Sequence, residues 1–498
     1  MYYKRNLDNT WSDATHFQAI GARRLFPCWD NPTIMATFNI SIKHYRKYKV
    51  FSNMPIQIVE IHKHKQYKTE TYLWTYFDIT PAMSTHIVTL VITPITALYN
   101  FRTYHSAVHI TLYTSNIIIW FRPELSNHIK YAHKVAHEIM LQLKDKWGSL
   151  QIPTVQFTAI CGLLYDNQNW GLVLNREINI LYDEKLHSVG HKINVAQLIG
   201  REMIYQWFGN LINPLWSSHL WLIDGLTILF AMDAINSIEN YRNPEMLDLF
   251  IVQAQFESLR LDTLSFMNAL NSTTPDDFWA VMQTTVDESH DDPYIKKHMP
   301  SLKMMIYNWT SMDYPMLKIT RDYYKNRYYR VNYDPENWQK IAKYLNSKEF
   351  TKIHVLNRAK IIDDAFYFMV EQQLDPSIFW ELISYLARET NYIAWYPMIK
   401  ALEYMSSVFP LPNEEVQNIK YKITTMLRFL FWKINYEEDS KENDLTKCLR
   451  QEGIKWACIL GESECQRVAH DRLLEHIQKL KTNKYYRLLP WWEEWIYC

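Results

Sequence analysis

The chain has 498 residues, 48% hydrophobic and 21% charged, which suffices for about three domains with real cores. Its 53 basic side chains balance 53 acidic ones, so bulk charge points to neither a nucleic acid nor an anionic membrane as partner. Six cysteines are too sparse for a disulfide scaffold, although Cys458 and Cys465 within WACILGESEC could close a short local bridge in an oxidising compartment.

Up to residue 122 the chain alternates β-branched and aromatic residues with polar ones, as in TYLWTYFDIT and HIVTLVITPI, a strand-like texture throughout. From Pro123 apolar residues recur at three- and four-residue spacing, and helical patterns dominate to about Trp309. A strand-like island follows, YPMLKITRDYYKNRYYRVNYD, and after Pro335 amphipathic segments such as NEEVQNIKYKITTMLRFLFWKI run to the end. No apolar run is long enough to span a bilayer; the best, over 87–98, is interrupted by Pro94. The start, MYYKRNLDNTW, lacks the apolar stretch of a signal peptide, so sequence leaves the location open. Sequons at Asn39, Asn271 and Asn308 are no more than chance gives in an Asn-rich chain.

Residues 194–211 read as one buried helix, with Ile199, Met203 and Trp207 at i, i+4 and i+8. Arg201, Glu202 and Tyr205 interrupt the apolar surface and share a face, because residues four apart lie one turn above each other. Taken alone, REMIYQWFGN is a buried helix with three polar side chains. It also resembles H-E-x-x-H-Q-W-F-G-N with both histidines replaced.

The surroundings carry that resemblance further. Asp224 in LWLIDGLTILF follows Tyr205 with eighteen residues between them, where the aminopeptidase N family of zinc aminopeptidases has L-W-L-N-E-G with its third zinc ligand. NQNWGLVLNREINILYD resembles the family's G-A-M-E-N-W-G-L-x-x-x-R-E segment, and ARRLFPCWDNPTIMATFNISI its A-R-R-x-F-P-C-x-D element. TPAMSTHIVTL, NRYYRVNYDPENW, IHVLNRAKIIDDAF and WACILGESEC are similar in consistent order from about Thr10 to the end. The chain is identified as a degenerate member of that family. The resemblance implies an α+β multidomain fold: a β-rich N-terminal domain (1–122), a thermolysin-like peptidase domain (123–310), a β-sandwich remnant (311–334) and a helical C-terminal domain (335–498).

The resemblance also implies a zinc cofactor, and the departures argue against one here. Arg201 and Tyr205 stand at two ligand positions and Asp224 at the third. Zinc takes lone pairs from His, Cys, Asp or Glu, and a guanidinium has none to offer. Gln168 replaces the glutamate that anchors a substrate's amino group, which removes a charge-assisted contact. Only the general-base position, Glu202, is kept, and without a metal no water is brought near a pKa of about 7. The family's S-Y-x-K-G piece with its oxyanion tyrosine is missing between 264 and 271, most of the sandwich is missing near 325, and both ends look shortened.

Cys28 and Cys161 have no adjacent base, His219 is a single histidine near the site, and no glycine-rich phosphate loop or nucleic-acid surface is evident. The expectation is an inactive homologue with no cofactor, binding at most peptides or other proteins. Two alternatives stand beside it: an active zinc aminopeptidase with an unusual ligand set, and a decayed or mis-assembled gene product. Family members are commonly extracellular or cell-surface proteins. Arg201 is expected to fill the former zinc pocket and bond a buried Asp224, with the Tyr205 hydroxyl as a further donor.

Overall fold

In a computed structural model of the chain, the described residues are 2–5, 11–15, 17, 21–29, 34–63, 71–94, 98, 117–147, 154–160, 167–184, 186–208, 220–238, 248–256, 330–406, 414–439 and 442–482. They fall into two compact units, Met1–Leu247 and Asp248–Cys498. The first is β-rich at its start and mixed thereafter, and the second is helical.

The alternating segments of the first unit form short antiparallel sheets. Strands β1 (Tyr2–Arg5) and β2 (Trp11–Ala14) join β5 (Tyr48–Ser52) and β9 (Leu90–Pro94) in the order β1-β2-β9-β5. Strands β4 (Ser41–Tyr45), β6 (Ile56–Lys63) and β7 (Thr71–Phe77) form a second sheet, β4-β7-β6. A two-stranded pair joins β3 (Met35–Ala36) to β8 (Met83–Ser84).

A fourth sheet has a different character. Strand β10 (Ile117–Trp120) pairs in parallel with β11 (Val155–Ile160), and β11 in parallel with β13 (Leu172–Arg176), while β12 (Asn167–Gln168) closes antiparallel on β13. Parallel neighbours need a long crossover, here containing helix α1 (Lys130–Trp147). Val155–Ala159 and Leu172–Asn175 are buried at every position, as expected of strands covered on both faces. Leu172 and Leu174 pack in one cluster with Ala14, Phe51, Val91 and Leu98 of the first sheet's neighbourhood. Trp170 packs in another with Phe17, Ala22, Met83, Ile87 and Val88. The β-rich start and the parallel sheet therefore share one core.

Helices α2 (Val189–Phe208) and α3 (Leu220–Ser237) complete what is described of the first unit's larger elements. In the second unit the helices are α4 (Pro335–Leu345), α5 (Val355–Val370), α6 (Pro376–Ile383), α7 (Tyr392–Met405), α8 (Glu414–Ile434), α9 (Asp444–Ile459) and α10 (Ser463–Thr482). Their starts are set by sequence. Asp334, Asp375, Asn391 and Asn443 each accept a backbone N–H of the first turn, and proline follows the two aspartates at the position where its missing N–H is harmless. Helix α9 ends at Gly461, whose φ of +80° suits glycine; Glu462 N–H donates to Ala457 O at 2.9 Å and Gly461 N–H to Cys458 O at 3.0 Å. Across that turn Cys458 and Cys465 form a disulfide with Cα atoms 5.3 Å apart. Among the described residues no helix is long and apolar enough to cross a membrane. Of the strand-like island before Pro335, only 330–334 are described, without regular structure.

Candidate functional site

Helix α2 starts where Ser188 Oγ accepts the backbone N–H of His191 at 3.3 Å. Val195, Ala196, Ile199, Met203 and Ile204 are buried along it. Gly200 lets α3 come close: a Cβ there would lie 2.8 Å from Ile235 Cδ1 and 3.4 Å from Ala231 Cβ. The tight crossing brings Asp224 of α3 into the electrostatic field of Arg201 and Tyr205.

Glu202 is fully buried, unlike the half-buried Arg201 and Tyr205 beside it on the helix. Asn175 of β13, also fully buried, donates its amide to Glu202 Oε1 at 2.5 Å. One turn on, Gln206 ties α2 to the segment before β13. Its Oε1 accepts Gly171 N–H at 3.0 Å and its Nε2 donates to Asn169 O at 3.3 Å. Gly171 adopts φ +74°, and a Cβ there would sit 2.1 Å from Asn53 O. Asn53 completes the lock from the β-rich start. Its amide donates to Ile87 O at 3.0 Å and Trp170 O at 2.7 Å, while its Oδ1 accepts Thr89 N–H at 2.8 Å. A second tether follows just past β13: Arg122 grips Glu177 with two bonds of 2.6 and 2.9 Å.

Arg201 and Tyr205 are half-buried and Asp224 is exposed as a residue. Even so, protein around the Asp224 carboxyl desolvates it enough to raise its pKa above the usual carboxylate range, with Arg201 pulling the other way. Burial, with the Asp224 charge behind it, pushes the Tyr205 hydroxyl up to about 12, and Arg201 only partly offsets this. Asp224 was expected to be buried and is exposed instead, and Arg201, Tyr205 and Asp224 act on one another electrostatically. Chemically the set suits zinc badly: a guanidinium, a phenol held protonated and a lone carboxylate. Among the described residues no group of three or more His, Cys, Asp or Glu side chains is placed to hold a metal ion.

Gln168 lies in β12, in register with Val173 of β13. Cys28 is a half-buried free thiol. Tyr165, Asp166, Cys161, His219 and the 265–270 junction lie outside the described residues. Asn175 and Gln206 were not singled out from sequence, although each sits within a quoted motif and contacts the site's helix or belongs to it.

Three family models match the chain in order. The Peptidase M1 N-terminal domain matches residues 1–87, the Peptidase family M1 domain residues 152–354 and the ERAP1-like C-terminal domain residues 325–490. The chain belongs to the M1 peptidase family. Human glutamyl aminopeptidase is 24% identical, covering 91% of this chain and 56% of its own length. Chicken aminopeptidase Ey is 24% identical over 97% of this chain and 60% of its own, and human aminopeptidase Q is 22% identical over 92% and 58%. The chain thus spans a little over half the length of the curated relatives it matches. Alignment to the human glutamyl aminopeptidase runs over 567 positions, more than the 498 residues available, so this M1 chain lacks internal stretches that the relative has.

Proposed function

We propose that this M1-family chain is a catalytically inactive homologue of the aminopeptidases, retaining at most the binding of peptides or other proteins. The observation that carries the reading is the pair at the metal-ligand positions: Arg201, whose guanidinium has no lone pair to give, and Tyr205, whose phenol is held in its weakly ligating protonated form at neutral pH. The buried bond from Asn175 to Glu202 supports it, since one oxygen of the remaining base already accepts an amide proton. The neutral Gln168 at the amine-anchor position supports it too. Extensive buried cores and paired interior charges in the described residues favour a stably folded homologue over a decayed product.

The rival reading, an active zinc aminopeptidase, draws its support from the names of the relatives, glutamyl aminopeptidase and aminopeptidase Ey. Zinc analysis after dialysis, together with amino-acyl chromogenic substrates at saturating zinc, separates the two. The expected result is no stoichiometric zinc and no cleavage above the uncatalysed rate. About one zinc per chain, with activity that Glu202→Gln abolishes, would establish the rival.

A further inference from the structure

We propose that residues 181–188, the turn between the short helix Glu177–Ile180 and α2, form an acid-operated latch that opens when a second proton reaches the set His128, His187 and His191. His128 lies just before α1, His187 just before α2, and His191 in the first turn of α2; all three are half-buried. Their rings belong to a row that runs from one helix to the other. Tyr131 packs on Tyr182 at 5.0 Å between centroids, Tyr182 on His187 at 6.2 Å, and His187 stacks on His191 at 4.6 Å. His128 joins through Asp183, whose Oδ2 lies 3.2 Å from its Nε2. Backbone bonds close the turn: Tyr182 N–H donates to His128 O at 2.8 Å, and His187 N–H to Asp183 O at 2.9 Å.

These contacts suit neutral imidazoles. Asp183 N–H donates to His187 Nδ1 at 3.0 Å, so a proton on that nitrogen breaks the bond. Leu181 O accepts from His191 Nε2 at 2.8 Å, which leaves Nδ1 of that ring to take any further proton. His128 Nδ1 is buried with no acceptor in reach, and a proton there strands a donor. Two stacked imidazolium rings would repel at short range, and a cation at either position opposes the dipole at the start of α2. Burial, then the charges of His191 and His128, lower the pKa of His187, with Asp183 partly offsetting them. The nearest other charges in sequence on these elements are Lys130 at the start of α1, Glu184 in the turn and Lys192 on α2, two cations against one exposed carboxylate.

A first proton is accommodated between His128 and Asp183. The second finds no further carboxylate among the groups that act most on His187. Repulsion along the ring row and loss of the bond to His187 Nδ1 then free the turn and the first residues of α2. Free histidine titrates at about pH 6.5, so acidification towards about pH 5 suffices.

Hydrogen exchange of the full chain, read by mass spectrometry and corrected for intrinsic rates, tests the latch. From about pH 7.5 to about pH 5, protection over 181–192 should fall at least about tenfold while that over α7 holds. His187→Gln with His191→Gln should keep this loss below about threefold. Asp183→Asn, which removes the counter-charge, should move the onset of opening to higher pH. His133→Gln, further along α1, should leave the loss in place. A turn held by packing alone would loosen in the variants equally at both pH values, and that outcome overturns the proposal. So does constant protection in the parent, an undiminished acid loss in the paired histidine variant, an onset moved to lower pH by Asp183→Asn, or disappearance of the loss in His133→Gln.

Discussion

Interior charge is handled in two ways in this molecule. In the helical unit Arg358 and Glu389 pair at 2.9 Å with 7% and 5% of their side chains exposed, and Glu389 also accepts the N–H groups of Thr390 and Asn391. Arg450, nearly fully buried, takes both oxygens of Glu442 at 2.6 Å and caps the end of α8 through Ile434 O and Asn435 O at 2.7 and 3.0 Å. In the mixed unit Arg201, Tyr205 and Asp224 act on one another electrostatically, with Asp224 exposed on α3. A deep pair resists change, because losing one partner strands the other in low dielectric. A charge exposed on a helix can change at little cost to the fold.

The sharpest way to break that contrast is Arg358→Ala, which strands Glu389 and should cost about 3–5 kcal/mol in urea unfolding. A loss below 1 kcal/mol would erase the distinction. Next comes His133 on α1, buried in the mixed unit, where desolvation and the neighbouring His137 lower its pKa to about 4. Unfolded, it titrates at about 6.5. Its neutral form is thus favoured by the fold, so stability is full above pH 6.5 and declines as pH falls towards 4. The expected loss is about 3 kcal/mol, and His133→Gln should flatten that limb of the pH profile.

Asn175→Ala removes an amide donor from the buried Glu202 and should cost about 1–3 kcal/mol. Asp224→Asn, at an exposed carboxylate, should cost least, about 0–1 kcal/mol. A cost as large as that of Arg358→Ala would mean Arg201 and Asp224 are locked together in solution.

The helix carrying Arg201, Glu202 and Tyr205 could be read from its apolar spacing. The later helices were legible from their amphipathic stripes, and the disulfide from a close cysteine pair. These features are local, so a short window of sequence contains their cause. The Asn175–Glu202 bond joins residues 27 positions apart through the packing of a strand on a helix, and no local pattern specifies it. Asp224 was expected to be buried because a ligand position suggests a pocket. Its exposure depends on how much of α3 its neighbours cover, a tertiary matter. The aromatic face of β7 was visible as an alternation, but which side meets solvent depends on the partner strands.

Asn53 bonds the carbonyl of Trp170 at a sequence separation of 117, and Gln156 bonds Ser52 O at a separation of 104. On a ribosome moving at roughly 5–20 residues per second, about 6–23 s separate the emergence of those partners. During that interval Phe51 and Val91 have no Leu172 or Leu174 to pack against. The nascent strands must wait with half of a core in water, which leaves this stretch open to misfolding until residues 156–174 are made.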